Sequence, residues 1–331
     1  MFLNNQQETS TVAKLRRLSL PTLSHGGGLK SLDLHLAYLA NYPEGSSETT
    51  REATYKNVYD PIFLDWRIGF TEGDGGFHLS AADNRCFFVI QQAEPEVLYK
   101  IKDARKMGSV THPEPDVWRY AVSAKGDIFK RIHIFNGNRI LHKRREQFKR
   151  WVENWNKHMR KNLRLHSDFP TVDLKTRDRK FSLHTAWFSG FVDAEGCFNL
   201  TVTKNQRYAA GYRARLRFKV DQSDALDFWP QYEEVMGSGT RTLRKVSRCH
   251  NWTINDLKVI ASLLFPYFTK FPLRSRKRIS LLRFYKCHAY MTAKKHRTPQ
   301  GMQQVLRWKR RSKGSLDYKP KDSKKKVLDL I

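Results

Sequence analysis

The chain has 331 residues, enough for two ordinary domains or one large one. It is 40% hydrophobic and 12% aromatic, which supplies real cores and excludes a disordered basic arm. Its 61 Lys and Arg against 32 acids leave a formal charge of +29, which on a folded chain asks for a polyanionic partner, nucleic acid first and an anionic membrane surface second.

The opening "MFLNNQQETSTVAKLRRLSL" reads as an organellar presequence or as an irregular leader, and it lacks the basic-then-apolar order of a secretory signal. "SHGGGLKS", Ser24 to Ser31, lacks P-loop spacing and implies no nucleotide hydrolysis. Residues 1–52 look unlike an enzyme core and are taken as a leader. Asp60 before Pro61 is a good helix start, with Asp as cap and Pro in the first helical position. The helix is predicted to run to about Glu72 through "WRIGFTEGDGGF", Trp66 to Phe77. Gly69 and Gly73 lie four apart on one face, where small residues let a second backbone approach. A β-rich run, "CFFVIQQAEPEVLYKI", then leads through Gln92 into a second helix, which stops at the glycine of "KMGSV". His142 to His166 reads as the closing helix of this unit plus a basic linker, either tracking phosphates or presenting a solvated face.

The opening stretch then recurs. "WFSGFVDAEGCF", Trp187 to Phe198, matches it position by position at a constant offset of 121. Trp187, Gly190, Phe191, Asp193, Ala194, Glu195, Gly196 and Phe198 stand for Trp66, Gly69, Phe70, Glu72, Gly73, Asp74, Gly75 and Phe77. "LRFKVDQSDALDFW" and "VMGSGT" follow in the same order, with Gln222 as the counterpart of Gln92. The predicted fold is α+β: two pseudo-symmetric αββαββα units, 53–160 and 181–295, joined by a basic linker at 161–180. Their small-faced helices are expected to pack on each other at the domain interface. The longest apolar run, "IASLLFPYF", is far too short to span a bilayer, so no membrane is expected. Cys86, Cys197, Cys249 and Cys287 form no CxxC pair and are expected to be reduced and buried. A basic tail, 296–331, closes the chain; from Thr292 onward there are thirteen Lys or Arg against three Asp, suited to nonspecific backbone affinity.

The acids at the helix ends pose a problem. A helix C-terminus disfavours carboxylates. Side by side, Asp74 and Glu195 would repel by roughly 3 kcal/mol at about 5 Å and an effective dielectric of about 20. A resting fold gains nothing from this, whereas oxygen-only ligands beside a phosphate suit Mg²⁺. Paired metal sites serve phosphodiester hydrolysis. A single "GDGG" is more often a turn; two copies, each ending a small-faced helix, favour a site.

"GFTEGDGGF" and "GFVDAEGCF" resemble the two motifs of LAGLIDADG homing endonucleases in their single-chain form, over about residues 55 to 290. Arg67 and Thr71 depart from the family's usual apolar residues. The resemblance implies two saddle-shaped antiparallel sheets astride the DNA major groove. It also implies Mg²⁺-dependent double-strand cleavage across the minor groove with short 3′ overhangs, Ca²⁺ binding without supporting cleavage. Carried onto this sequence, Asp74 and Glu195 are the metal-binding acids, helped by the carbonyls of Gly73 and Ala194, while Glu72 and Asp193 are structural. Lys277, after the "PL" of "FPLRSRKRISL", would lie near the attacking water. Its first-half counterpart is Lys143 or Arg145. Gln92 and Gln222 either position solvent or are polar residues at helix starts.

"YRARLRFKV", Tyr212 to Val220, alternates with period two. Arg213, Arg215, Arg217 and Lys219 fall on one face and Ala214, Leu216, Phe218 and Val220 on the other. Arginines there can read guanine edges. Asn199, Thr201, Thr203, Lys204, Arg207, Arg241, Arg244 and Lys245 are further candidates for contacting DNA. In the first half the candidates are His78, Ser80, Asn84 and Arg85. The expected partner is double-stranded DNA with a long asymmetric site, cut by a monomer. The alternative partner is group I intron RNA, since some members of the family are maturases, and both roles can coexist. Retention of both acids argues against a chain that binds without cutting. Family habit points to an organelle, the mitochondrion before the chloroplast.

Overall fold

The computed structural model describes residues 60–104, 106–161, 169–175, 179–223, 227–244 and 249–316, with side chains to 310. The leader, the glycine-rich stretch near its middle and Lys245 lie outside them. The first helix, α1 (Pro61–Asp74), begins where the sequence says: the Asp60 carboxylate accepts from the Ile62 N–H at 3.0 Å, and Pro61 holds the first position. It runs two residues beyond Glu72, and extended Gly75 ends it. Strands β1 (Gly75–Leu79) and β2 (Cys86–Gln92), helix α2 (Pro95–Asp103), strands β3 (Ser109–Glu114) and β4 (Val117–Val122), and helix α3 (Lys125–Phe135) complete an αββαββα unit. Helix α5 (Trp187–Glu195), β5 (Gly196–Lys204), β6 (Tyr212–Ser223), α6 (Phe228–Met236), β7 (Thr240–Arg244) and β8 (Cys249–Ile254) repeat the order. A helical stretch, 257–270, with a π-helical turn at Ile260–Leu264, closes it. Both sheets are antiparallel, ordered β1-β2-β4-β3 and β5-β6-β8-β7.

Each unit carries more than was expected. The first closes with α3, and His142–Lys161 forms an additional helix, α4, rather than the closing one. Phe148, Trp151, Val152, Trp155 and Met159 give α4 a buried stripe at helical spacing, so this basic stretch has a packed face as well as a solvated one. The second unit adds α7 (Lys277–Thr292) and α8 (Pro299–Leu316), the latter in what was read as a nonspecific tail. No helix among the described residues is long and apolar enough to cross a membrane. Cys86 and Cys287 are buried as expected, Cys249 is half-buried, and Cys197 is exposed; all four are free thiols.

Helices α1 and α5 pack directly on each other. A Cβ built on Gly69 would lie 1.8 Å from the Trp187 carbonyl oxygen, and one on Gly190 would lie 1.7 Å from that of Trp66. Backbone, not a flexible side chain, occupies the space, so only glycine allows this approach. One turn on, a Cβ at Gly73 would meet the Ala194 methyl at 2.3 Å. Aromatic stacks repeat the symmetry: Trp66 on Phe70 at 5.0 Å and Trp187 on Phe191 at 4.9 Å. Arg67 and Thr71, the departures from the family pattern, are fully buried. Gly190→Ala is expected to push the helices apart and to cost about 1–3 kcal/mol. Urea unfolding measures this; wild-type stability would mean the contact is looser than described.

Candidate active site at the paired helix ends

Glu72 and Asp193 each precede the paired acid of their helix end by two residues. The Trp187 indole donates to Glu72 Oε2 at 2.6 Å, and the Trp66 indole donates to Asp193 Oδ2 at 2.8 Å. Each helix therefore holds the acid of the other. Glu72 also accepts from the Ile140 and Leu141 amides at 2.8 and 3.1 Å, and Asp193 accepts from the Arg274 amide at 2.7 Å and the Ser275 amide at 3.3 Å. These bonds pin the loops that lead into α4 and α7. Burial raises the Glu72 carboxyl to about 7 against the pull of its donors, and burial raises Asp193 too.

The pinned loops deliver one cation to each helix end. Lys277 Nζ donates to the carbonyls of Val192 (3.3 Å) and Ala194 (2.5 Å). In the first half the counterpart is Arg144, which donates to the carbonyls of Glu72 (2.9 Å) and Gly73 (2.7 Å). Neither sequence candidate occupies that place. Lys143 points outward and is exposed, and Arg145 pairs with Asp227 of the second unit. The physical reason is register: the α4 entry carries three successive cations, and helix rotation brings the middle one to the α1 end while Arg145 turns to Asp227. Arg144 and Lys277 bind the last carbonyls of each helix end, of which only that of Val192 also accepts the backbone N–H of the capping glycine. Burial lowers the pKa of both cations, against the raising effect of nearby acids that include Asp74 and Glu195.

Asp74 and Glu195 come together from the two helix ends. Burial raises Asp74 to about 6, opposed by Lys277, the Gln92 amide and Arg144. Burial raises Glu195 to about 7, and the charge of Asp74 adds to it. Gln92 donates to Asp74, but its counterpart Gln222 donates to the Ser223 carbonyl at 3.2 Å, so the two glutamines are not equivalent. Among the described residues no group of three or more His, Cys, Asp or Glu side chains forms a metal cage. Two partly desolvated carboxylates, the charge of Asp74 raising Glu195, fit a hard divalent cation, whose remaining ligands would be further oxygens. The Gly73 and Ala194 carbonyls already accept from Arg144 and Lys277, and each keeps a second lone pair.

The sheets flank this centre. On the face of β5–β6 away from the core, Cys197, Asn199, Thr201 and Thr203 stand opposite Lys219, Arg217, Arg215 and Arg213. Leu216, Phe218 and Val220 are buried on the other face, as the alternation requires. Lys204 ends β5 exposed but stands opposite Tyr212, on the face of Val202 and not on that of the arginines, and Arg207 lies in the connecting turn. Arg244 shares the open face and pairs with Asp221 at 3.1 Å. Arg241 does not: it stands opposite buried Trp252 and binds Glu233 of α6 at 3.0 Å, on the core side. Arg241 therefore does not belong to the outward face expected to contact DNA. In the first sheet His78 faces outward opposite Phe87, whereas Ser80, Asn84 and Arg85 lie in the hairpin turn, with Arg85 paired to Asp83. Gln91, Thr111 and Arg119 share the open face of the first sheet and were missed. "VWRYAV" alternates, with Tyr120 and Val122 buried, and that signal could have found Arg119.

Carboxylates paired at a two-helix seam, each with a half-buried cation beside it and an outward-facing polar sheet on its flank, form one site between two repeated units. The sequence pattern of the LAGLIDADG endonuclease family matches residues 68–155 and 188–288, and the chain belongs to that family. It is 33% identical over 82% of its length to the probable intron-encoded endonuclease 4 of Neurospora crassa, spanning 48% of that protein. It is 26% identical over 65% of its length to the intron-encoded RNA maturase bI4 of Saccharomyces cerevisiae, spanning 30% of it. The chain thus spans about half or less of these curated relatives. Among solved structures, the LAGLIDADG meganuclease I-AabMI bound to uncleaved DNA superposes with a TM-score of 0.63 at 21% identity, over 76% of this chain and 98% of that one.

Trp187→Phe and Trp66→Phe each leave a buried carboxyl short of a donor and are expected to cost about 1–3 kcal/mol. Chemical denaturation reads this, and two variants as stable as wild type would show that the crossed bonds do not hold the seam.

Proposed function

We propose that the chain is a site-specific endonuclease that makes metal-dependent double-strand breaks with short 3′ overhangs at a long, asymmetric DNA site, the activity of intron homing. The observation that carries this reading is the meeting of Asp74 and Glu195 at the ends of two helices held backbone to backbone. The Neurospora relative, named as a probable intron-encoded endonuclease, supports it.

Asp74 and Glu195 would hold Mg²⁺, with the Gly73 and Ala194 carbonyls beside them. Mg²⁺ bound there supplies Lewis acidity, activating water and stabilising the leaving oxygen. The chain's own groups do the rest. Lys277 and Arg144 place positive charge beside each helix end, where scissile phosphates would sit. Gln92 fixes the Asp74 carboxylate, and Gln222 is free to take a different role on the second strand. Arg213, Arg215, Arg217 and Lys219 would read and neutralise the duplex. Ca²⁺ would occupy the site without supporting cleavage. The chain would act as a monomer, since one chain supplies both helices, and in mitochondria, a reading supported by relatives named as intron-encoded in fungi.

RNA maturase activity is the second reading, favoured by the yeast relative named as a maturase. The basic outward face of α4 suits it.

Asp74→Asn or Glu195→Gln is expected to reduce double-strand cutting about a hundred- to a thousandfold, the scale set by loss of charge stabilisation in a hydrolytic site, while retaining duplex binding. The assay is cleavage of a randomised duplex library with Mg²⁺, with EDTA and Ca²⁺ as controls. Cutting that survives either substitution or EDTA would overturn the reading. Absence of cutting by folded wild-type protein would turn the case toward splicing of intron RNA.

A further inference from the structure

The two sheets differ in reach. Both hairpins start beside the paired acids, Gly75 opposite Ile90 and Gly196 opposite Val220. The first runs to Leu79 opposite Cys86, with strands of five and seven residues; the second runs on to Lys204 opposite Tyr212, with strands of nine and twelve. Its extra pairs are Thr201–Arg215, Val202–Ala214, Thr203–Arg213 and Lys204–Tyr212. At about 3.3 Å per residue these four add about 13 Å, the length of about four base pairs.

A bare two-stranded extension is marginal in water. Here α8 supports it. Val202, Met302 and Val305 are buried together in a small apolar cluster apart from the main core, with Ala210, Tyr212 and Ala214 packed against it. Lys309 Nζ donates to the Val202 carbonyl at 2.9 Å. The Tyr290 ring meets Trp308 edge-on at 5.2 Å, tying α8 to α7. The first hairpin ends differently: the Trp151 indole of α4 donates to the His78 carbonyl at 3.0 Å, and Asn154 donates to the Asn84 carbonyl. The strut holds the apolar face of the extension, so Thr201, Thr203, Arg213 and Arg215 are presented on the opposite, outward face.

We propose that the second half of the chain reads about four base pairs more than the first, at the outer end of its half-site, and that α8 is the positioning strut for this reading head. The proposal rests on the endonuclease reading above and goes beyond it, because it assigns unequal half-site lengths and a specificity role to Met302 and Val305.

The test is selection of bound duplexes from a randomised library by the full chain in Ca²⁺, followed by sequencing. Wild type is expected to show base preference over unequal arms. Val305→Asp is expected to flatten the outermost preferences of the long arm from about tenfold, the scale of one arginine–base contact, to none, and to keep those of the inner pairs. Should that variant fail to fold, the double variant Thr203→Ala/Arg213→Ala removes the same outer preferences from the strand surface. Tight, selective binding with arms of equal length would overturn the proposal alone, as would wild-type outer preferences in the folded variants. Absence of any selective duplex binding would overturn the endonuclease reading and this proposal with it.

Discussion

Trp66 and Trp187 each donate an indole N–H to the acid near the end of the other helix, and the rest of the site follows from this exchange. The crossed bonds work only if the helices lie backbone to backbone, which Gly69 and Gly190 permit. Glu72 and Asp193 turn their remaining lone pairs to the amides that precede α4 and α7. The same two carboxylates thus fix the helix seam and the loops that carry Arg144 and Lys277. Losing one indole would loosen both at once.

This arrangement holds charge where a helix least favours it. Carboxylates at C-terminal ends oppose the helix dipole, and burial opposes their ionisation, as the raised values of Asp74 and Glu195 record. Two half-buried cations offset part of this by binding the terminal carbonyls. The remaining imbalance is negative charge facing negative charge, the condition under which a divalent cation binds best. Behind the helix ends, aromatic stacks form an ordinary core.

Much of this was legible in the sequence, for reasons that explain what was not. A repeated motif at constant offset fixes which acids are equivalent, and equivalence implies a shared seam. Period-two alternation with a buried partner face placed Arg213 to Lys219 correctly, because one buried face sets strand register. Strand β7 is exposed throughout, so nothing in its sequence says which side Arg241 takes, and only pairing to β8 decides it. Arg144 was hidden for a related reason. It stands between two other cations, and which one turns inward depends on how Glu72 anchors the preceding loop. The packing of α8 was hidden because the charge of the segment as a whole suggested a tail, although Met302, Val305, Leu306 and Trp308 stand ahead of or among its first cations.

The central claim is that Asp74 and Glu195, one from each helix, form a single cation site on bound DNA. Calorimetric titration of Ca²⁺ into the complex of full chain and selected duplex tests it most directly. Either Asp74→Asn or Glu195→Gln alone is expected to weaken binding at least about tenfold, since removing one partner of a charge-assisted contact costs about 1.5–3 kcal/mol. Wild-type Ca²⁺ affinity in both variants, with duplex binding intact, would contradict the shared site.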